Sequence, residues 1–305
     1  MIEKKKIAIY NGLFNFHFEV FGYLIEYIKD KNYSFSIYCN TNNHSYEWIS
    51  FYENLFKINL NIKSSWLFNS DNYDYMFVIN GNVKKFYNNC KIKIISIIHD
   101  TYMIDKYPVH DILTTRYLYD FPLLKWSLPV FKGFSKSEKI KILDNESKIN
   151  VLILGSIPDD TIENLKNYII NFDEINFYLV SRGIAHILNK DKYKNIFVYL
   201  SENNNYCPTN IIFILLKKCH YIFCSDNIKN PEYEKNKITG AIPLSFSFGC
   251  QLIIPNNWQN YYNFKSIIVY NNNIILKKDI NLDNIYNERD ELINHKNKTF
   301  DNIII

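Results

Sequence analysis

Short, fully apolar runs alternate with longer amphipathic stretches along this chain. The apolar runs predict strands at Lys6–Tyr10, Ser34–Cys39, Tyr75–Ile79, Lys93–Ile98, Asn150–Leu154, Asn176–Val180, Ile196–Leu200, Tyr221–Cys224, Gln251–Ile254 and Ser266–Tyr270. Helical spacing of apolar positions predicts helices at Phe16–Lys29, Tyr46–Glu53, Thr161–Asn171, Ile184–Asn189, Pro208–Lys218, Pro243–Phe248 and Asn284–His295. A strand that is apolar throughout is buried on both faces, and strands separated by helices make a mostly parallel sheet. The fold class is therefore α/β.

The pattern starts twice. Lys4–Gly12 (KKIAIYNG following the first lysine) and Lys148–Gly155 (KINVLILG) each read as a first strand followed by a loop and a helix. Two strand-first units in tandem give two Rossmann-like domains, 1–133 and 134–305. The join is expected in Pro129–Asn145, where Pro, Gly and Ser cluster and charge rises. The polar helix near the C-terminus is expected to pack back on the first domain.

Bulk properties narrow the class. A length of 305 residues suits two domains. A net charge of +4 is spread thinly, so Lys4–Lys6 reads as a solvated terminus and no nucleic-acid partner is expected. A mildly positive surface suits an anionic small ligand. The six cysteines, Cys39, Cys90, Cys207, Cys219, Cys224 and Cys250, show no CxxC spacing and mostly lie in apolar runs, which predicts reduced, buried thiols. No signal peptide opens the sequence, and no apolar run reaches the ~18 residues of a membrane span. A cytoplasmic location follows as the expectation. The abundance of Asn, Ile, Lys and Tyr reads as coding bias.

The chemistry concentrates in Asn236–Pro255, NKITGAIPLSFSFGCQLIIP. Pro243 cannot sit deep in a helix, so it sets a helix start close to Thr239. Thr239, Gly240, Ala241 and Ile242 would then present open amides at the positive end of a helix, with a hydroxyl from Thr239 and close backbone approach at Gly240. That is an anion site suited to a diphosphate. The plain alternative is an α/β turn with no ligand.

Thr239, Gly240, Ala241, Ile242 and Pro243, with Ser247, Gly249 and Leu252, resemble the donor-binding helix and following strand of GT-B glycosyltransferases. Gly12 with His17-Phe18-Glu19 resembles the opening acceptor-side loop and helix, and Ile97-Ile98-His99-Asp100 resembles a strand element lining the cleft. The resemblance implies two Rossmann-like domains facing across a cleft, with a nucleotide-diphosphate sugar as donor substrate held by the second. It also implies a glycan or other hydroxyl acceptor at the first. Retaining members carry two glutamates at positions matching Asn236 and Leu244, and this chain lacks both. An inverting enzyme, a divergent one or an inactive relative stays open. No D-x-D triplet occurs, so neither a metal nor another cofactor is expected.

Transfer needs a base for the acceptor and stabilisation of the leaving diphosphate. The candidates for the base are Asp100, His17 and Glu19, with His99 beside them. His17 also reads as a structural ring among Phe14, Phe16 and Phe18, and Glu19 as an ordinary first-turn acid. For the diphosphate the candidates are Arg182, Lys237 and Ser156, each equally readable as a surface residue. Glu232 and Glu234 are candidates for sugar or ribose hydroxyls. A sugar-nucleotide epimerase on the same scaffold and a non-catalytic GT-B-like binding protein are the alternative functions.

Overall fold

The computed structural model describes residues 4–12, 17–39, 47–80, 91–99, 111–118, 120–155, 161–181, 193–199, 207–224, 238–271 and 273–304. The chain divides into two units. The first comprises Met1–Phe131 with Asn236–Ile238 and Glu291–Ile305; the second comprises Lys132–Lys235 and Thr239–Asp290.

Unit one is built on strands β1 (Lys6–Asn11), β2 (Ser34–Cys39), β3 (Ile62–Ser64), β4 (Tyr75–Asn80), β5 (Lys93–Ile98), β6 (Asp111–Thr114) and β7 (Lys125–Trp126). They lie in the order β3-β2-β1-β4-β5-β6-β7, every pair parallel. After its first residue β1 is buried along its whole length, as a central parallel strand must be. Helices α1 (Phe18–Asp30) and α2 (Glu47–Phe56) follow β1 and β2, and Phe21 of α1 stacks on Trp48 of α2. The chain moves outward from β1 through β2 to β3, then returns to β4 on the other side of β1. That reversal makes the C-terminal end of β1 a switch point, where ligands of such sheets bind.

Unit two repeats the plan. Strands β8 (Ile149–Gly155), β9 (Ile175–Ser181), β10 (Ile196–Tyr199), β11 (Tyr221–Phe223), β12 (Gln251–Pro255) and β13 (Ile268–Tyr270) lie in the order β10-β9-β8-β11-β12-β13, again all parallel. Its switch point is the end of β8. Its described helices are α3 (Lys136–Asn145), α4 (Thr161–Tyr168), α5 (Thr209–Lys218), α6 (Ala241–Phe248) and the first part of α7 (Leu282–Asp301). Val151, Ile153, Phe177, Leu179, Phe223 and Ile253 share one core with Leu165 of α4. The expected α/β class with two Rossmann-like sheets is thus the observed one.

Four elements depart from the sequence reading. The stretch read as the join between the domains contains α3, which Ser135 and Glu138 start with a reciprocal capping box. Its low apolar content hid it; the burial of Lys139 and Leu143 reveals it. Strands β3, β6 and β7 span only three, four and two residues, too few to make a run. The expected helix at Ile184–Asn189 lies outside the described residues.

Helix α7 is longer than its pattern suggested and contributes to both units, its residues up to Asp290 to the second and those from Glu291 to the first. Within unit one, Phe300 packs on Tyr23, Tyr27 and Phe77, and Lys296 pairs with Glu26, both enclosed. Within unit two, Gly249 ends α6 at φ +66°, and a Cβ there would stand 2.6 Å from the Tyr286 ring. Gly249→Ala is expected to cost about 2 kcal/mol in thermal unfolding, from left-handed backbone strain plus that clash.

Among the described residues Cys39, Cys207, Cys219, Cys224 and Cys250 are free thiols, and burial pushes Cys224 up to about 12. No helix among the described residues is long and apolar enough to cross a membrane.

Candidate functional site

Two places in the fold concentrate polar groups at strand ends. The first lies in unit one. His17 sits just before α1 with φ 65° and ψ 37°, a left-handed conformation uncommon outside glycine, in which asparagine, aspartate and histidine are the commonest exceptions. Its carbonyl accepts from the Val20 amide at 3.0 Å, so the residue is tied to the first helical turn.

Three side chains meet there. His17 Nδ1 lies 3.3 Å from a Glu19 oxygen, and the His99 ring stacks on that of His17 with centroids 3.7 Å apart and planes 15° from parallel. His99 directly follows β5, so sheet order unites residues 82 positions apart. Exposure divides their roles: the His17 side chain is 28% exposed and that of Glu19 only 7%. Burial first, and the adjacent His17 second, hold the His99 imidazole well below its usual range, so it stays neutral. Its Nε2 is enclosed and bonds to nothing among the described residues.

The ligating atoms of His17, Glu19 and His99 all fall within 4.8 Å of one another, close enough to suggest a metal. The ring geometry argues otherwise. A metal lies in the plane of each imidazole it binds, about 2.0–2.1 Å from nitrogen. Two stacked, nearly parallel rings share no such point. The arrangement suits a hydrogen-bonded dyad with a neutral ring beneath it.

The second place is the start of α6 in unit two. Gly240 caps the helix, within two residues of the start that Pro243 implied. The expectation of four open amides is narrowed. The Ala241 amide turns back to Thr239 Oγ1 at 3.3 Å and the Ile242 amide to the Thr239 carbonyl at 3.2 Å; both residues are buried. Those two are held by the turn itself. Thr239 and Gly240 are half-buried, and their amides donate to no described residue. A Cβ built on Gly155, at the end of β8 with φ +115°, would meet Thr239 Oγ1 at 3.9 Å. The switch-point strand and the helix start therefore adjoin.

Asp100, Arg182, Ser156, Lys237, Glu232 and Glu234 lie outside the described residues. Of the remaining candidates, His17 and Glu19 come together, and Thr239 through Ile242 form one turn.

No family model and no curated protein matches the chain. Solved structures do. The Anabaena protein HepE, in complex with UDP and glucose, matches with TM-score 0.52 at 8% identity, over 97% of this chain and 94% of that one. Arabidopsis thaliana UGT89C1, complexed with UDP-L-rhamnose, matches with TM-score 0.50 at 11% identity, over 98% and 94%. A Neisseria meningitidis UDP-GlcNAc 2-epimerase bound to UDP-GlcNAc matches with TM-score 0.48 at 11% identity, over 96% and 93%. The likeness is one of fold. The chain has a GT-B-like fold of two Rossmann-like halves.

The site features that the sequence concealed are those of tertiary contact. The stacking of His99 on His17 and the approach of Gly155 to Thr239 join residues from separate strands. Their visible signals were Gly12 and Gly155 at the first strand of each half, and the resemblance of His17-Phe18-Glu19 and Ile97-Ile98-His99-Asp100 to cleft-side elements; the contacts themselves were not legible.

Proposed function

We propose that this protein is a metal-independent glycosyltransferase that moves a sugar from a nucleotide-diphosphate donor to an acceptor hydroxyl. His17 is the general base in this reading. The observation that supports it most is the contact of His17 Nδ1 with Glu19. A carboxylate only accepts, so the bonded tautomer carries its hydrogen on Nδ1 and its lone pair on Nε2. A lone pair on a part-exposed ring at a switch point is placed to take an acceptor's proton. The imidazolium that forms is then stabilised by Glu19, while the neutral His99 adds no opposing charge. Glu19 is too enclosed to serve as the base, and acts through His17. Asp100 keeps its place as an alternative carboxylate.

In the same reading unit two binds the donor. The amides of Thr239 and Gly240 and the Thr239 hydroxyl face the diphosphate, with Arg182, Lys237 and Ser156 as the proposed further contacts. UDP is the first nucleotide to try, since the HepE and UGT89C1 structures hold UDP or a UDP sugar.

A nucleoside diphosphate at about 100 times its dissociation constant should raise unfolding free energy by about 2.7 kcal/mol. Gly240 has φ −58° and ψ −18°, which any residue adopts, so Gly240→Phe should fold normally and lose this response. A response that survives in the variant moves the diphosphate elsewhere; no response to any nucleotide defeats the proposal. Product analysis then separates the readings. Transferred sugar supports a transferase, an isomerised donor supports an epimerase, and binding without turnover supports a non-catalytic protein.

A further inference from the structure

Trp66 is 78% exposed, whereas Trp48 and Trp258 are 6% and 4% exposed. It occupies a single 3-10 turn, Ser65–Leu67, that directly follows β3. It therefore belongs to the rim made by the C-terminal ends of the unit-one strands, the rim that also carries His17. The strand register gives the offset. Asn11 pairs with Cys39, and Cys39 with Ser64, so β1, β2 and β3 end level. With neighbouring strands about 4.8 Å apart, Ser64 stands about 10 Å across the sheet from Asn11.

The turn is firmly seated. Phe68, two residues on, packs edge-on against Tyr10 of β1 at 6.1 Å and Tyr38 of β2 at 5.1 Å, and stacks on Tyr73 at 6.1 Å. These contacts hold an indole in water while its neighbour secures the backbone to the end of β1. Around Trp66 the sequence supplies Ser64, Ser65, Asn69, Ser70, Asp71 and Asn72, with one cation, Lys63, which lies over the Tyr38 ring. An aromatic face bordered by hydroxyls and amides matches a sugar ring, whose C–H face is apolar and whose edge is polar. A lipid surface calls for a cluster of Lys and Arg, and Lys63 alone, with Asp71 against it, does not make one. A second copy of the chain needs a broader apolar area than Trp66 and Leu67 provide.

We infer that Trp66 is a stacking platform for the acceptor, and that the acceptor is an oligosaccharide. The dyad stands further still, because His17 stacks on His99 at the end of β5, four strands from β3 and so about 19 Å across the sheet from Ser64. That span exceeds one sugar ring, so the ring on Trp66 is a different unit from the one whose hydroxyl reaches His17. This rests on the transferase reading.

The test uses the full-length protein and two readouts. The first is tryptophan fluorescence without donor. The probes are two- to four-unit oligosaccharides of glucose, galactose and N-acetylglucosamine, with the matching monosaccharides. At least one oligosaccharide should shift the emission and shield it from iodide, and Trp66→Ala should abolish the response. The second is transfer kinetics: Trp66→Ala should raise KM for oligosaccharide acceptors about tenfold and leave kcat unchanged. No response to any probe, or equal KM in variant and wild type, overturns the platform. Trp66-dependent vesicle binding, or dissociation of a dimer in the variant, overturns it in favour of the other partners. A Trp66-dependent response without any sugar transfer sustains the platform and removes only the transferase reading.

Discussion

Replacing His17 with asparagine is expected to slow sugar transfer by about 10²- to 10⁴-fold, the usual contribution of a general base. Asparagine is the informative substitute because it tolerates the left-handed backbone that His17 adopts at φ 65°. Alanine there would add strain, and lost activity could then reflect a misplaced α1. The His17 side chain makes no capping hydrogen bond to the helix, so the melting temperature should hold. Nucleotide binding should also hold, because the proposed diphosphate contacts belong to the other unit. Glu19→Gln is expected to cost less, since it leaves the imidazole in place and weakens only its orientation and charge stabilisation. Initial rates with saturating donor, compared with thermal melts of the same samples, provide the check. Unchanged turnover in His17→Asn would remove the dyad from the mechanism and return the role to Asp100.

Lys139→Met is expected to destabilise unit two by about 3–5 kcal/mol, since several bonds to one enclosed charge are lost together. Lys139 is completely buried, and its Nζ donates to the carbonyls of Leu216 at 2.8 Å, Lys217 at 3.1 Å and Cys219 at 2.7 Å. Two of those carbonyls belong to the last turn of α5, whose end carries the negative pole of the helix. The lysine satisfies acceptors that the helix cannot satisfy itself. Methionine fills the same volume and leaves these carbonyls only the weak Cys250 thiol, which lies 3.2 Å from the Leu216 oxygen and 3.3 Å from that of Cys219 and has one hydrogen to share. For a unit of this size the loss corresponds to a fall in melting temperature on the order of 10 °C. Calorimetry on the full chain tests this, and a fall below about 1 kcal/mol would mean that the carbonyls find other donors.

The same lysine shows why α3 was missed. In sequence it lies in SKSEKIKILDN, where four of eleven residues are charged lysines or acids before the first leucine, and it reads as solvated linker. The capping box of Ser135 and Glu138 was legible, but a cap signals a helix start only when an apolar face follows. Here a lysine occupies the inner face, and its acceptors lie some 80 positions away in the chain. Strands β6 and β7 were invisible for a related reason: Asp111–Thr114 and Lys125–Trp126 are held by pairing with neighbours and not by apolar runs of their own.

What local chemistry settles is settled early in this chain. Unbroken apolar runs must be buried on both faces, so β1, β5, β8 and β12 were readable as parallel strands, and Pro243 marked the start of α6 because its ring excludes a helix interior. The two restarts at Lys4 and Lys148 showed two sheets. Proximity between distant residues is different, because strand order sets it and no local preference encodes it. Only the folded sheet puts β5 near enough to β1 for His99 to stack on His17, and only the outward run from β1 to β3 brings Trp66 to the same rim.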